Sequence, residues 1–186
     1  AIGMSKEVMA HVKACYKTIK PVDEIVHNKL NDLVRLYLLV GGMPEVVQKY
    51  INTNNLQIVR ATQLDIMHLY TKDISKYDPQ NKLYIKDIFE LIPSELNAKN
   101  KRFILKALNE KAKFERYSNS FLWLADAGVA LPVYNVEEPR LPLKLGEQRN
   151  LFKLFLSDVG LLASQYAANI AIEILTGDAK INYGAI

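Results

Sequence analysis

The sequence predicts a mainly α-helical protein that carries one β-hairpin toward its C-terminal end. Apolar residues recur at three- and four-residue spacing through most of the chain, and the period changes to two between residues 129 and 156. Three helices followed by a β-hairpin is the order of a winged helix. We therefore predict a helical subdomain over 1–78, a winged helix over 79–164, and a trailing helix over 165–186.

Composition narrows the class of protein. The chain has 186 residues, of which 49% are hydrophobic, enough to build a core. Cys15 stands alone, so no internal disulfide is expected and the cytoplasm is the predicted compartment. The sequence contains neither a membrane-length apolar run nor a signal-peptide pattern at its start. A net charge of +4 permits an anionic partner without requiring one.

Start and stop signals predict four helices in the first part. Ser5 is a helix N-cap, and a second helix from Asp23 to Val40 ends at Gly41-Gly42. Pro44 opens a third helix and a fourth runs from Leu56 to about Ser75, with Tyr77-Asp78-Pro79 as its stop. The face of the second helix that should be buried consists of Ile25, Leu30, Leu33, Val34, Tyr37 and Leu38.

The second part reads as three helices and two strands. Helices are predicted over 83–96, 101–108 and 114–127; Pro93 marks a kink or an interruption in the first, and Gly128 caps the last. Short apolar or alternating segments over 129–136 and 150–156 are predicted strands. Asp158 is an expected N-cap, with Lys153 as its neighbour or as a wing contact.

Two stretches of the sequence together resemble a known group of proteins. Residues 37–47, which contain Gly41-Gly42-Met43-Pro44-Glu45, resemble the "GG-x-P-E" segment of bacterial and archaeal AAA-family ATPases that carry a domain of unknown function after the ATPase core. The second stretch, residues 121–128 continuing through 142–144 to 153–162, is similar to the winged helix of the same proteins. In this family the helical subdomain is a lid, so the resemblance implies a helical lid followed by the winged helix.

The resemblance also implies what lies around these two parts. The parent would have an N-terminal P-loop core and a C-terminal domain similar to restriction nucleases, and this chain would be the middle fragment. No G-x-x-x-x-G-K-[ST] occurs in the sequence, so we expect ATP and Mg to bind only in the intact parent and no activity from the fragment. The missing core and the nuclease-like domain are the expected partners.

The corner formed by Gly41, Gly42, Met43 and Pro44 is the predicted nucleotide-sensing site. In related signalling ATPases a G-x-P element places its proline against the adenine, and this corner resembles it. Glycines also let the backbone approach a ligand closely, and a new helix offers free N–H groups. The alternative is a turn between two helices that needs glycine for its geometry alone.

A second predicted site is a surface for double-stranded DNA on the winged helix. The helix from Phe114 would enter the major groove, and the wing would contact phosphates. The alternatives are a solvated face or a protein-docking module. The residues assigned to this surface are Lys111, Lys113, Arg116, Ser118, Asn119, Arg140 and Lys144.

Two other functions remain open. One is a stand-alone winged-helix transcriptional regulator whose N-terminal helices mediate dimerisation, and the other is a protein-interaction adaptor. Salt-sensitive duplex binding by a symmetric dimer would distinguish the regulator.

His11, His27 and His68 lack the paired spacing of a zinc site and are expected at the surface, while Cys15 is expected in the core.

Overall fold

The computed structural model describes residues 4–77, 82–166 and 169–177. Within these residues the protein is mainly helical, with one antiparallel two-stranded sheet, as predicted. None of the described helices has the length and apolar character needed to cross a membrane. The helices are α1 (Lys6–Thr18), α2 (Glu24–Val40), α3 (Pro44–Thr53), α4 (Leu56–Tyr77), α5 (Lys82–Asn97), α6 (Phe114–Asp126), α7 (Val159–Ser164) and α8 (Asn169–Thr176).

Helix boundaries in the first part follow the local signals. The Ser5 side chain accepts the Val8 N–H at 3.3 Å and begins α1, and Ile19 ends it in the left-handed conformation. Pro44 occupies the first turn of α3, where its missing N–H costs nothing. The predicted stop at Asp78-Pro79 lies outside the described residues.

The predicted buried face of α2 is wrong at three positions. Ile25, Val34 and Tyr37 are exposed, at 84%, 55% and 53%. The buried residues of α2 are Leu39 and Val40, because α4, α7 and α8 pack against this helix. The apolar periodicity correctly indicated an amphipathic helix. It could not show which turns of that helix α4, α7 and α8 cover.

The helix predicted over 101–108 is also wrong. Only a short 3₁₀ turn forms, over Leu105–Ala107. The Phe103 N–H donates to the Phe152 carbonyl at 3.0 Å and the Ile104 N–H to the Glu95 carboxylate at 2.7 Å. Since these donors are taken by distant partners, the segment runs extended beside the sheet instead of coiling.

The sheet consists of β1 (Ala130–Val136) and β2 (Glu147–Leu156), which pair antiparallel. Its inner face buries Phe152, Leu154 and Leu156. The ring of Phe152 lies 4.9 Å from that of Phe121 in α6, an edge-on arrangement that joins the sheet to the helix. The strand predictions over 129–136 and 150–156 are thus confirmed, with β2 beginning three residues earlier.

One continuous core joins the two predicted parts. Val46 of α3 and Val59 of α4 belong to the same buried cluster as Phe121 of α6 and Leu154 of β2. Helix α5 runs through Pro93 without interruption, and the Tyr166 hydroxyl donates to the Pro93 carbonyl at 3.3 Å. Residues before and after the predicted boundary at 78 are therefore packed together, and the boundary itself stays a prediction.

Candidate functional site

The predicted sensing residues form a tight corner between α2 and α3. Gly41 ends α2 with a φ of 72°, a conformation that side chains other than glycine rarely adopt. Its N–H donates to the Tyr37 carbonyl at 2.8 Å. Gly42 and Pro44 are exposed, whereas Gly41 is buried. The four residues predicted together thus lie together, with one side of the corner facing inward.

The inward side of the corner is fixed by Asp158, which follows β2. One carboxylate oxygen accepts the Gly42 N–H at 2.6 Å, across 116 positions of sequence, and the other accepts the Leu161 N–H at 2.9 Å. The Asp158 side chain is 8% exposed. It acts as the predicted N-cap of α7, but Lys153 makes no hydrogen bond or ion pair with it in the described structure.

Gly160 brings the backbone of α7 against the end of α2. A Cβ added at this position would lie 2.7 Å from the Gly41 nitrogen and 2.6 Å from the Gln63 amide nitrogen. A Cβ at Gly41 would collide with the Asp158 carboxylate. Both glycines are therefore required by close approach, and the corner and the start of α7 form one packed unit.

Gln63 of α4 connects its helix to this packed unit by hydrogen bonds to the end of α2. Its side-chain amide donates to the Leu39 carbonyl at 2.7 Å and to the Val40 carbonyl at 3.2 Å, and the residue is 2% exposed. These carbonyls end α2 and lack partners within the helix, so Gln63 supplies hydrogen bonds that the helix end needs.

The side chain of Tyr70 in α4 is close enough to Asp158 for the carboxylate to affect its pKa. Burial raises the pKa of Tyr70 above its usual value of 10.0, and the negative charge of Asp158 raises it further. Tyr70 packs edge-on against Phe89 of α5, with the ring centres 6.5 Å apart. The Asp158 charge thus acts on a side chain that lies at the interface between α4 and α5.

An apolar groove opens beside the corner, between α2 and α3. Its volume is about 190 Å³, and its walls combine aliphatic side chains with two tyrosines. The N–H groups of Gly41 and Gly42 are both bonded within the protein, so a ligand here would meet the groove wall rather than free glycine donors. The lining residues are Leu33, Leu36, Tyr37, Val40, Gly41, Val47 and Tyr50.

Four of the seven residues predicted to contact DNA lie outside α6, in two groups. Lys111 and Lys113 precede α6 and are exposed, while Arg140 and Lys144 are exposed in the segment between the strands. Arg140 lies 3.1 Å from the carboxylate of Glu138. No hydrogen bond or ion pair joins the two groups within the described residues.

Three predicted DNA contacts lie within α6 itself. Arg116 lies over the Tyr84 ring, 5.0 Å from its centre, and donates to the Tyr84 hydroxyl. The Ser118 hydroxyl donates to the Glu115 carbonyl at 3.0 Å, whereas Asn119 is exposed. Arg116 therefore already has a structural contact, and α6 also exposes Glu115, Leu122 and Asp126.

The three histidines are exposed, and Cys15 is not a core residue. His11 Nε2 lies 3.6 Å from Cys15 Sγ and 3.2 Å from a carboxylate oxygen of Asp23. Cys15 is only partly buried because α1 buries no residue fully. Within 4–77, 82–166 and 169–177, no group of three or more metal-ligand side chains is placed to hold an ion.

A comparison with protein families matches residues 31–171 to the model described as "Domain of unknown function (DUF8612)". The chain belongs to this family. No curated protein and no solved structure matches it. The DUF8612 match includes the corner, Gln63, Asp158 and all the cations predicted to contact DNA, and it begins after α1.

Sequence reasoning missed two residues of this DUF8612 region. Gln63 follows Val59 by four positions and precedes Met67 by four, so it lies on the buried face of α4. A polar residue at such a position signals a buried hydrogen-bonding role. Gly160 is the second residue that was missed. A glycine in the first turn of a helix suggests that another backbone segment approaches it closely.

Proposed function

We propose that this chain is a non-catalytic regulatory segment of a prokaryotic AAA-family ATPase. In this proposal the corner of Gly41 to Pro44 responds to nucleotide state, and a winged helix formed by residues 82–156 carries the response. One observation supports it above the others: the Asp158 carboxylate holds the Gly42 N–H while capping the helix that follows the sheet.

The route from corner to sheet is short. Asp158 follows Leu156, the last residue of β2, by two positions. The contact of Gly160 with the Gly41 backbone leaves no free space between the corner and α7. A shift of the corner must therefore move Asp158 and, through the chain, the end of β2, because packed units move as a whole rather than deform.

The order of elements favours a winged helix for the responding part. Helix α5, a 3₁₀ turn and α6 precede the β1–β2 hairpin, and the Phe103 N–H pairs with β2. In a winged helix a short extended segment between the first two helices adds to the hairpin in this manner. The aromatic contacts of Phe121 with Phe103 and Phe152 hold α6 on the sheet.

The nucleotide itself would be held by a P-loop core that acts with this chain. ATP and Mg would bind to that core, and the exposed Pro44 with the neighbouring groove would face it. The apolar, tyrosine-lined wall of the groove suits an aromatic base better than a triphosphate.

The test uses the full-length polypeptide that contains this chain. Hydrogen exchange of the β1–β2 amides would be compared in the ATP-bound and ADP-bound states for the native protein, for Asp158→Asn, and for Asp65→Asn, an exposed aspartate of α4, as the control. We expect a nucleotide-dependent difference in the native protein and in the control, and its loss in Asp158→Asn. A polypeptide without ATPase activity, or exchange indifferent to nucleotide, contradicts the proposal.

A second candidate is a stand-alone regulator that binds double-stranded DNA and dimerises through its N-terminal helices. It is favoured by five exposed cations, none of which has an ion-pair partner in the described part of the chain. Five unpaired cations within fifteen consecutive residues suit phosphate contacts. The five are Lys99, Arg102, Lys106, Lys111 and Lys113.

Fluorescence anisotropy with labelled duplex DNA tests this candidate. Binding at about 50 mM salt that weakens steeply at about 200 mM would indicate phosphate contacts. It should be lost in Lys111→Glu/Lys113→Glu and kept in Lys29→Glu/Lys49→Glu, which changes the net charge equally and serves as the control once sedimentation shows that it has the oligomeric state of the native chain. Arg116 is left intact because it stacks on Tyr84. Absence of binding at the lower salt, or a monomer in sedimentation, argues against the regulator.

A further inference from the structure

The side of the sheet that faces away from the core carries an unusual mixture of residues. Val133 pairs with Lys153 and Leu131 with Phe155 across the two strands, so these four side chains share one face. Leu131 and Val133 are 51% and 52% exposed, although they lie in the middle of a strand. A half-covered aliphatic pair at this position leaves apolar area in contact with water.

A third segment extends this surface beyond β2. The Phe103 N–H donates to the Phe152 carbonyl, which places the 101–104 segment along the free side of β2. Phe103 is buried, whereas Arg102 and Ile104 on either side of it are exposed. We define the outer face as six residues that lie on this side: Arg102, Leu131, Val133, Leu151, Lys153 and Phe155.

The outer face is concave and positively charged. A groove of about 360 Å³ covers part of it: four outer-face residues line the groove (Arg102, Val133, Leu151 and Lys153), together with Tyr134, Asn135 and Phe152. No carboxylate lines the groove, and neither cation has an ion-pair partner within the described residues. Two uncompensated cations beside exposed aliphatic side chains complement a ligand that has both apolar and acidic groups.

We propose that the outer face is a docking site for an acidic, amphipathic polypeptide segment of a partner protein. Apolar side chains of the segment pack on Leu131, Val133 and Leu151, and its carboxylates pair with Arg102 and Lys153. The segment lies across the face instead of extending the sheet, since Pro132 in β1 has no N–H to offer an added strand. This inference does not depend on nucleotide coupling.

Other occupants fit less well. A second copy of the chain would bring a molecule of net charge +4 against a face whose unpaired charges are also positive. An anionic membrane would satisfy the cations, but insertion into lipid requires side chains that protrude, and this surface is a groove. Single-stranded nucleic acid stacks on exposed aromatic rings, whereas the two aromatic residues in the groove lining, Tyr134 and Phe152, are packed into the core cluster.

The experiment is an NMR titration of the whole chain with a short, acetylated peptide of alternating leucine and glutamate. We expect saturable amide shifts below about 1 mM peptide, centred on residues 102, 131, 133–135 and 151–155. The matching peptide of leucine and lysine should bind at least about tenfold more weakly, because its charges repel Arg102 and Lys153.

Two variants and a control make the test specific. Arg102→Glu/Lys153→Glu should weaken binding of the glutamate peptide by about tenfold or more, and Val133→Ser should weaken it with both cations in place. Lys13→Glu/Lys17→Glu on α1 has the same net charge as the double reversal and should bind like the native protein. Unchanged amide spectra away from the outer face establish that each variant is folded.

Several results would overturn the proposal. These are the absence of saturable shifts, shifts centred on another surface, equal affinity for the two peptides, or equal loss in the α1 control. Sedimentation equilibrium that detects a dimer lost in Val133→Ser would replace the partner with a second copy. Binding to phosphatidylserine vesicles without peptide binding would replace it with a membrane.

Discussion

The carboxylate of Asp158 accepts hydrogen bonds from the Gly42 N–H at 2.6 Å and from the Leu161 N–H at 2.9 Å, so one side chain caps α7 and holds the corner of the α2–α3 pair. A capping bond of this kind is worth about 0.5–2 kcal/mol. The Gly42 bond is only part-buried, so its loss costs about 0.5–1.5 kcal/mol, the net value of an ordinary hydrogen bond. The two effects act on the same residue and therefore combine.

Replacement of Asp158 by alanine should thus lower the free energy of unfolding by about 1–3 kcal/mol. Asp158→Asn keeps one acceptor oxygen and should lose roughly half as much. Urea denaturation at neutral pH measures both variants, with the exposed Asp65→Ala as the control. A loss in Asp158→Ala no larger than in the control would mean that the two bonds are not formed in solution.

Gly160→Ala should be among the most damaging small substitutions in the chain. Its Cβ would lie 2.7 Å from the Gly41 nitrogen, which cannot move without displacing the end of α2. Forced overpacking of this kind costs about 1–3 kcal/mol or more. Gly42→Ala is the matched control, because its Cβ would meet Asp158 at 3.7 Å, an ordinary contact. Equal thermal midpoints for the two variants would contradict the packing described.

Gln63→Leu should destabilise the protein although it replaces a buried polar residue with an apolar one of similar size. The Leu39 and Val40 carbonyls would lose the donor that now lies 2.7 and 3.2 Å away, at a cost of about 1–3 kcal/mol. Gln57→Leu, at an exposed position of the same helix, serves as the control in urea denaturation. A neutral or stabilising Gln63→Leu would show that water can satisfy the carbonyls.

Alkaline pH should weaken the fold through Tyr70. Burial and then the Asp158 charge raise the pKa of this phenol above 10.0, so the folded state keeps its proton while the unfolded state releases it. The contribution is fully present below pH 10 and is lost as the pH rises through the folded-state pKa. Urea midpoints measured between about pH 9 and 11 should fall less steeply in Tyr70→Phe than in the native protein. Parallel slopes would contradict this.

Local signals in the sequence were sufficient for most helix and strand boundaries. Ser5, Gly41, Pro44 and Gly128 each mark a terminus where backbone chemistry leaves little choice, and the structure agrees at each. The change of period after Gly128 likewise predicted both strands. These features depend on near neighbours in the sequence.

Features set by distant residues could not be predicted in the same way. The 101–108 segment is helical by periodicity but is held extended because the Phe103 N–H finds the Phe152 carbonyl. The exposure of Ile25 and Tyr37 depends on where α7 and α8 pack against α2. At the candidate site the glycines were visible in the sequence, but their partners Asp158 and Gln63 were not, since no spacing rule connects positions so far apart.

The hydrogen bond between Gly42 and Asp158 also orders events during synthesis. Residues 4–77 emerge from the ribosome long before residue 158, and domains fold progressively from the N-terminus as they are made. Until Asp158 emerges, the Gly42 N–H can donate only to water and the last turn of α2 is not covered by α7. The α2–α3 pair must wait, partly assembled and with apolar surface uncovered, for the end of the hairpin, and a chain truncated before residue 158 should be a substrate for chaperones and proteases.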